Sequence, residues 1–356
     1  MNTKILRAVV GGLVIGVTPA SGQVTVQTDF GQATIGGYLQ VQFNTSSVDG
    51  ARSSDFLIRR ARLGAQVEIN DFLTVRFLPD FGAGSARISD AYARLNFSES
   101  FRVTMGQFKR PFDLFQLVSS SQILVVERTG VIRGLDDCPG LGGICSFSAF
   151  SVALGLSDRD IGVMVDGTGG SGRVSYAVSV TNGNGANALD ENGSKSVSGR
   201  VRVEAAPNVR IGGNIALHDY VNTATVEDEY AMAIGADVEF GSYDGGWHGV
   251  AGLMVGDNWL DLDAGGDPST FVTAQGILTY RAPVEGNEYV RAIEPIGRLS
   301  FGNPNTDVAS DGGVLLTPGM VLHFIGRNKI EANVDVWLPD TGDTAWSLKM
   351  QTQLYF

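Results

Sequence analysis

The sequence is poor in the side chains on which enzymes most often depend. Its 356 residues hold three histidines (His218, His248 and His323) and two cysteines. No Gly-x-Ser-x-Gly element stands beside any of the histidines, so a serine-hydrolase arrangement has nothing to build on. The glycine-rich stretch 167–172 lacks the Gly-Lys-Ser/Thr of a phosphate loop and reads as a turn. Asp261, Asp263 and Asp267 offer loose Ca²⁺ ligands at best, and their polar context fits a solvated loop better. The chain is therefore not expected to be an enzyme, and no cofactor or metal is expected. Basic residues are also outnumbered, 26 Lys and Arg against 38 Asp and Glu, for a net charge of −12. Nucleic acid is excluded as a natural partner on that ground. Long apolar runs are missing too: past the N-terminus nothing approaches the roughly 20 residues a helix needs to span a bilayer.

What the N-terminus does contain is an export signal. Lys4 and Arg7 precede an apolar run, 8–17, and Ala20-Ser21-Gly22 puts small residues where a signal peptidase cuts. Residues 1–22 are expected to be a signal peptide and 23–356 the exported domain. In an oxidising compartment Cys138 and Cys145, separated by a Pro-Gly-Leu-Gly-Gly-Ile run, are expected to form a local disulfide.

The dominant pattern is alternation with period two, the signature of strands with one apolar and one polar face. In 56–69, Leu57, Ala61, Leu63, Ala65, Val67 and Ile69 oppose Arg60, Arg62, Gln66 and Glu68. Arg59 falls on the apolar side by the same parity, so it is expected to point outward. The split recurs in 197–205 and in 329–338, and about sixteen such segments fill the chain from residue 34 to its end. The connections alternate in length. Tight turns (70–71, 99–100, 206–207, 326–327) alternate with longer polar links (46–55, 183–195, 258–269). Two connections depart from the rule: 283–291 is long on the short side and 339–343 short on the long side. Short periplasmic turns and long external loops belong to an outer-membrane barrel, and an even strand number fits it as well. The last segment alternates Trp346, Leu348, Met350, Leu354 and Phe356 with polar residues and stops on the aromatic. Such a strand can close the sheet onto the first one and remove both edges. The fold class expected is an all-β, transmembrane, antiparallel barrel in the outer membrane, in contact with its lipid.

Between Arg110 and Asp158 lies a connection far longer than an ordinary surface loop. Phe112, Leu114, Phe115, Leu117, Ile123 and Leu124 would be wasted in water, so it is expected to fold into the lumen, its first half as a short helix.

Four stretches carry a family resemblance: FLIRRARLGAQVEI (56–69), RISDAYARLNF (87–97), VTMGQFKRPFDLFQLVSSSQILVVERT (103–129) and the closing strand. With its Gly-Gln-Phe-Lys-x-Pro-Phe element, Ser-Ser run and Glu-Arg pair, the chain resembles the phosphate-selective porin O and P family. The resemblance implies a sixteen-stranded homotrimeric porin whose third loop, here 110–158, forms the constriction. It also implies passive diffusion of small hydrophilic solutes, with anions such as phosphate drawn in by inward arginines and lysines. Arg60, Arg62 and Lys109 match the family's motif positions, with Arg110 beside them. Arg76, Arg94, Arg200, Arg202, Arg210 and Arg298 lie on the polar faces of their strands and are candidates to line the pore. Each has an alternative role as ion-pair partner to the wall acids Glu68, Asp80, Asp90, Glu204, Asp237, Glu239 and Glu294. The acidic net charge does not oppose an anion pore, because loop acids lie beyond a Debye length of about 8 Å from a deep constriction. A non-selective diffusion porin, or a structural barrel or adhesin with a closed lumen, remains as the alternative.

Overall fold

The computed structural model describes residues 14–17, 23–28, 31–48 and 54–356. Most of the expected signal peptide lies outside the described residues. Of it, Val14–Val17 (β1) pairs with Gln23–Thr28 (β2). Sixteen longer strands follow. The first seven are β3 (Gly31–Ser46), β4 (Ser54–Glu68), β5 (Leu73–Asp80), β6 (Arg87–Ser98), β7 (Phe101–Lys109), β8 (Arg159–Gly169) and β9 (Val174–Thr181). After them come β10 (Ser196–Ala206), β11 (Val209–Val221), β12 (Asp228–Gly241), β13 (Gly246–Leu262) and β14 (Pro268–Pro283). The set ends with β15 (Ala292–Asn303), β16 (Gly313–His323), β17 (Lys329–Pro339) and β18 (Ala345–Tyr355). Each pairs antiparallel with its successor, and β18 pairs with β3 from Ser347↔Ser46 to Tyr355↔Tyr38. The Phe356 and Gly37 backbones exchange N–H···O bonds of 2.6 and 2.9 Å just beyond, so the terminal aromatic strand does close the ring. β2 continues past that point on the same edge of β3, Gln23↔Gly36 to Thr28↔Gly31.

Burial is inverted relative to a water-soluble protein. Ile211, Ile215, Met232, Ile234, Leu253, Leu278 and Leu299 are exposed, while Gln40, Gln42, Thr273, Ser300, Thr317, Asn333, Asp335 and Gln351 are buried. A sheet closed on itself satisfies every ladder hydrogen bond internally, so its apolar outer face can rest in hydrocarbon. Among the described residues no helix is long and apolar enough to cross a membrane. The strands make the crossing.

Two expectations need correcting. The stretch 258–269, read as a long loop, is mostly hairpin, because β13 runs on to Leu262 and β14 starts at Pro268. Asp263 then serves the remaining tight turn, accepting from the Gly265 and Asp267 amides at 2.7 and 3.0 Å. No metal-holding cluster occurs among the described residues. The second correction concerns β4, whose register against β3 shifts between Gln40↔Arg60 and Val41↔Ile58, leaving Arg59 as an extra residue. This bulge reverses the parity above it. Phe56 and Ile58 point out, while Leu57 and Arg59 turn inward onto a cavity. Arg59 is therefore not an outward-facing residue.

The long connection 110–158 packs against the inner wall. Phe112, Phe115, Ile132, Ile144, Phe147, Phe150, Leu154 and Leu156 form one apolar cluster with Met254, Phe271, Leu315 and Trp337 of the strands. Its first half holds only a single helical turn, α1 (Leu114–Leu117), whereas the longer helix α2 (Phe147–Ala153) lies in the second half. Ser146 caps α2 by accepting from the Ala149 amide at 3.2 Å. The backbones approach closely where the wall has glycine. A Cβ on Gly302 would sit 2.1 Å from the Cys145 carbonyl oxygen and 2.6 Å from the Phe150 ring. Any larger residue there pushes the loop off the wall.

Cys138 and Cys145, both fully buried in this loop, are joined by a disulfide with a Cα–Cα distance of 5.2 Å. In protein taken from membranes and unfolded without reductant, a thiol reagent should label neither residue. Labelling of both before reduction would show the loop to be held by packing alone.

Candidate permeation site inside the barrel

The inner loop divides the lumen. Towards the short-turn end lie two chambers of about 610 and 540 Å³, both lined in part by Lys109, Leu117, Ser119 and Met164. Towards the long-loop end lies a smaller one of about 170 Å³, over Gln42, Asn44, Arg59 and Glu127. Between them runs the loop segment 118–128, fixed to the wall by its backbone. Gln40 Nε2 donates to the Ser120 carbonyl at 3.0 Å, Gln353 Nε2 to Ser121 at 3.2 Å and Lys329 Nζ to Ile123 at 2.9 Å. Arg298 reaches from β15 to the Glu127 and Arg128 carbonyls at 2.9 and 2.6 Å.

The chamber linings are strongly biased towards positive charge. In the larger chamber Arg62, Arg76, Arg94, Lys109, Arg159 and Arg327 face a single acid, Asp90. In the second, Arg102, Lys109, Arg200, Arg202 and Arg210 face Asp166 and Glu239. The cations also outnumber the acids that hold them. Arg76 and Arg159 share Asp90, at 3.1 and 2.7 Å. Arg94 and Arg102 share Asp166, at 4.0 and 2.5 Å. Arg202 has no ion-pair partner among the described residues. Lys109 Nζ has none either: it donates to the loop carbonyls of Gln116, Leu117 and Val118, the last at 2.9 Å.

The candidate residues thus separate into two groups. Arg62, Arg76, Arg94, Lys109, Arg200, Arg202 and Arg210 line the chambers. Arg60, Arg110 and Arg298 are sealed within the protein. Arg60 donates to Gln40 Oε1 at 2.8 Å, and Arg110 to the Ser157 carbonyl at 3.1 Å with Asp160 at 3.9 Å. Arg298, with no exposed side-chain surface, pairs with Asp335 at 2.7 Å. Ion pairing with the wall acids also occurs: Arg62 with Asp80 at 2.8 Å, Arg200 with Asp237 at 2.5 Å and Arg210 with Glu239 at 3.1 Å. Glu294 takes His323 instead, at 2.6 Å. Three lining cations were missed: Arg102, which alternation with Phe101, Val103 and Met105 sets on the polar face of β7, Arg159 at a strand end and Arg327 in a turn. His218, the histidine most open to a catalytic reading, is buried against the Trp259 ring and lines none of these chambers.

Two of the loop's own acids meet wall cations: Asp158 at its end pairs with Arg159 at 3.4 Å, and Glu127 reaches the Arg59–Arg60 doublet of β4. Arg59 grips Glu127 with Nε–Oε1 at 2.5 Å and Nη2–Oε2 at 3.2 Å, and Gln42 donates to Oε1 at 3.1 Å. Burial alone would push this carboxyl up, but Arg59 and Arg60 outweigh it and bring it down to about 2.

The model of the family described as phosphate-selective porin O and P matches residues 34–232, more than half of the chain. The chain belongs to this family. The porin is accordingly an outer-membrane channel protein, not an enzyme. Solved structures share its fold at low identity. The outer-membrane channel DcaP of Acinetobacter baumannii superposes with a TM-score of 0.62 at 12% identity, over 93% of the porin and 99% of that chain. OprB of Pseudomonas putida gives 0.65 at 9% identity, over 92% and 95%. OmpF of Salmonella typhi, solved with daunomycin, gives 0.58 at 13% identity, over 93% and 100%. OmpT of Vibrio cholerae, in a trimer form, gives 0.56 at 12% identity, over 91% and 99%. Among curated proteins no sequence matches.

Proposed function

We propose that this porin passes small hydrophilic solutes with a preference for anions of the phosphate class, and that it works as a homotrimer. The cationic excess of the two chambers carries the reading. Two unit charges about 4 Å apart interact by roughly 4 kcal/mol at an effective dielectric of 20, against about 1 kcal/mol in bulk water. Arginines at the wall of a narrow, partly desolvated passage therefore act on an anion far more strongly than acids in the outer loops. Sharing of Asp90 and Asp166 leaves the field net positive while each arginine stays oriented. A permeant ion meets several moderate sites in series, which suits conduction better than one deep well. Family membership supports phosphate as the solute class. The trimer form of OmpT, with the same fold, supports the assembly.

Arg62→Gln would be a poor test, since it strands Asp80. Arg76 and Arg202 are better choices: Asp90 keeps Arg159, and Arg202 leaves no acid behind. The double variant Arg76→Gln/Arg202→Gln should fold normally, move the reversal potential in a salt gradient towards the cation side, and weaken block of chloride current by phosphate. An unmoved reversal potential would leave a non-selective diffusion porin.

A further inference from the structure

The chamber at the long-loop end has its own polarity. Arg59, Arg133 and Lys349 line it, with Glu127 as the single acid. Two of these cations are committed to acids outside the lining: Arg133 to Asp55 at 2.5 Å, and Lys349 to Asp335. Arg59 is committed to Glu127 alone among the described residues. The fork geometry of that contact, two guanidinium nitrogens on two carboxylate oxygens, is the one arginine uses for any carboxylate or phosphate. Arg60 lies behind it, 5% exposed, and among the described residues its fork is spent only on a neutral amide, Gln40. Gln42 adds a third donor through Nε2, which also bonds Gln351 Oε1 at 2.6 Å. Glu127 itself belongs to the loop, not to a strand, and the loop is what separates this chamber from the two larger ones.

We propose that Arg59, Arg60 and Gln42 form a second anion seat, suited to a carboxylate or a phosphate, which Glu127 fills as a built-in competitor. The seat stands at the boundary between the outer chamber and the arginine-lined passage, so an incoming anion must displace the Glu127 carboxylate to rest there. The proposal deepens the anion reading above and rests on it for physiological meaning, though not for its own test. Because the competitor is tethered, the seat empties and refills by movement of one side chain, which prevents an anion from lodging at the entrance.

The test is single-channel recording of Glu127→Gln pores, with inorganic phosphate or acetate added on the long-loop side as blocker of chloride current. Removing the tethered charge should strengthen block by about fivefold or more, as expected when a like-charged occupant is taken out of a partly desolvated site. In the double variant Arg59→Gln/Glu127→Gln the gain should vanish. If Glu127→Gln fails to assemble, Glu127→Asp withdraws the carboxylate by one methylene, and its block should strengthen at least about twofold. A block constant unchanged by these variants, or a gain that survives loss of Arg59, overturns the seat. Phosphate stronger than acetate identifies it as a phosphate seat, and the reverse order as a carboxylate seat. Wild-type pores that prove cation-selective would end the anion reading without touching the seat, whose measure is each variant's block against wild type.

Discussion

Replacing Arg298 with Leu is expected to cost about 3–5 kcal/mol of stability and to make the channel noisy, because it removes one partner of a buried charge network. The guanidinium is fully enclosed and every part of it is used. It bonds Asp335 at 2.7 Å, Thr317 Oγ1 at 3.0 and 2.8 Å, and the carbonyls of Glu127 and Arg128. Leu would leave two loop carbonyls unsatisfied and Asp335 with Lys349 and Thr317 as its remaining partners. The temperature at which the unheated gel form converts to the heated one should fall sharply. Current through the open pore should flicker as 118–128 comes loose. Arg298→Lys should fall between the two, since it keeps the charge and loses the fork. An unaltered conversion temperature together with quiet current would mean that this network does not hold the loop.

A second large effect concerns the outer wall. Ile234 lies mid-way along β12, opposite Ile215 and Val255, and is 47% exposed. In water such a residue would tolerate arginine, but on the lipid face of a barrel the change costs about 2–4 kcal/mol near the bilayer midplane. Leu189, 85% exposed in the 182–195 connection, supplies the control. Ile234→Arg should lower folded yield in bilayers and the unfolding midpoint in urea, and Leu189→Arg should leave both unchanged. Equal, small effects at the two positions would contradict a lipid-facing β12.

The strands were legible because a barrel wall repeats one physical demand, lipid on one side and water on the other, at every second residue. β7 and β12 begin and end where alternation predicts, and all sixteen segments are present. Alternation failed at Arg59, and the Arg-Arg doublet itself was the available sign: two adjacent charges cannot both be inward without an extra residue in the strand. It failed again at 258–269, where Trp259, Leu260 and Leu262 extend a strand among acids that look like loop. Parity gives a side chain's face, not its depth or its neighbours across the sheet. Arg62 and Arg298 were therefore equivalent in sequence, yet one lines a chamber and the other clamps the loop. Arg159 and Arg327 enter the site from strand ends and turns, for which period two has no prediction. The position of α2 was equally hidden, since it depends on which wall residues the loop meets once inside.

The central claim, that the shared acids leave the inner passage net positive, is tested most directly by the reversal potential of wild-type pores in a potassium chloride gradient. The expected sign is the one set by chloride, held at ordinary ionic strength despite the acidic outer loops. A reversal potential of the opposite sign, with potassium as the favoured ion, would contradict it.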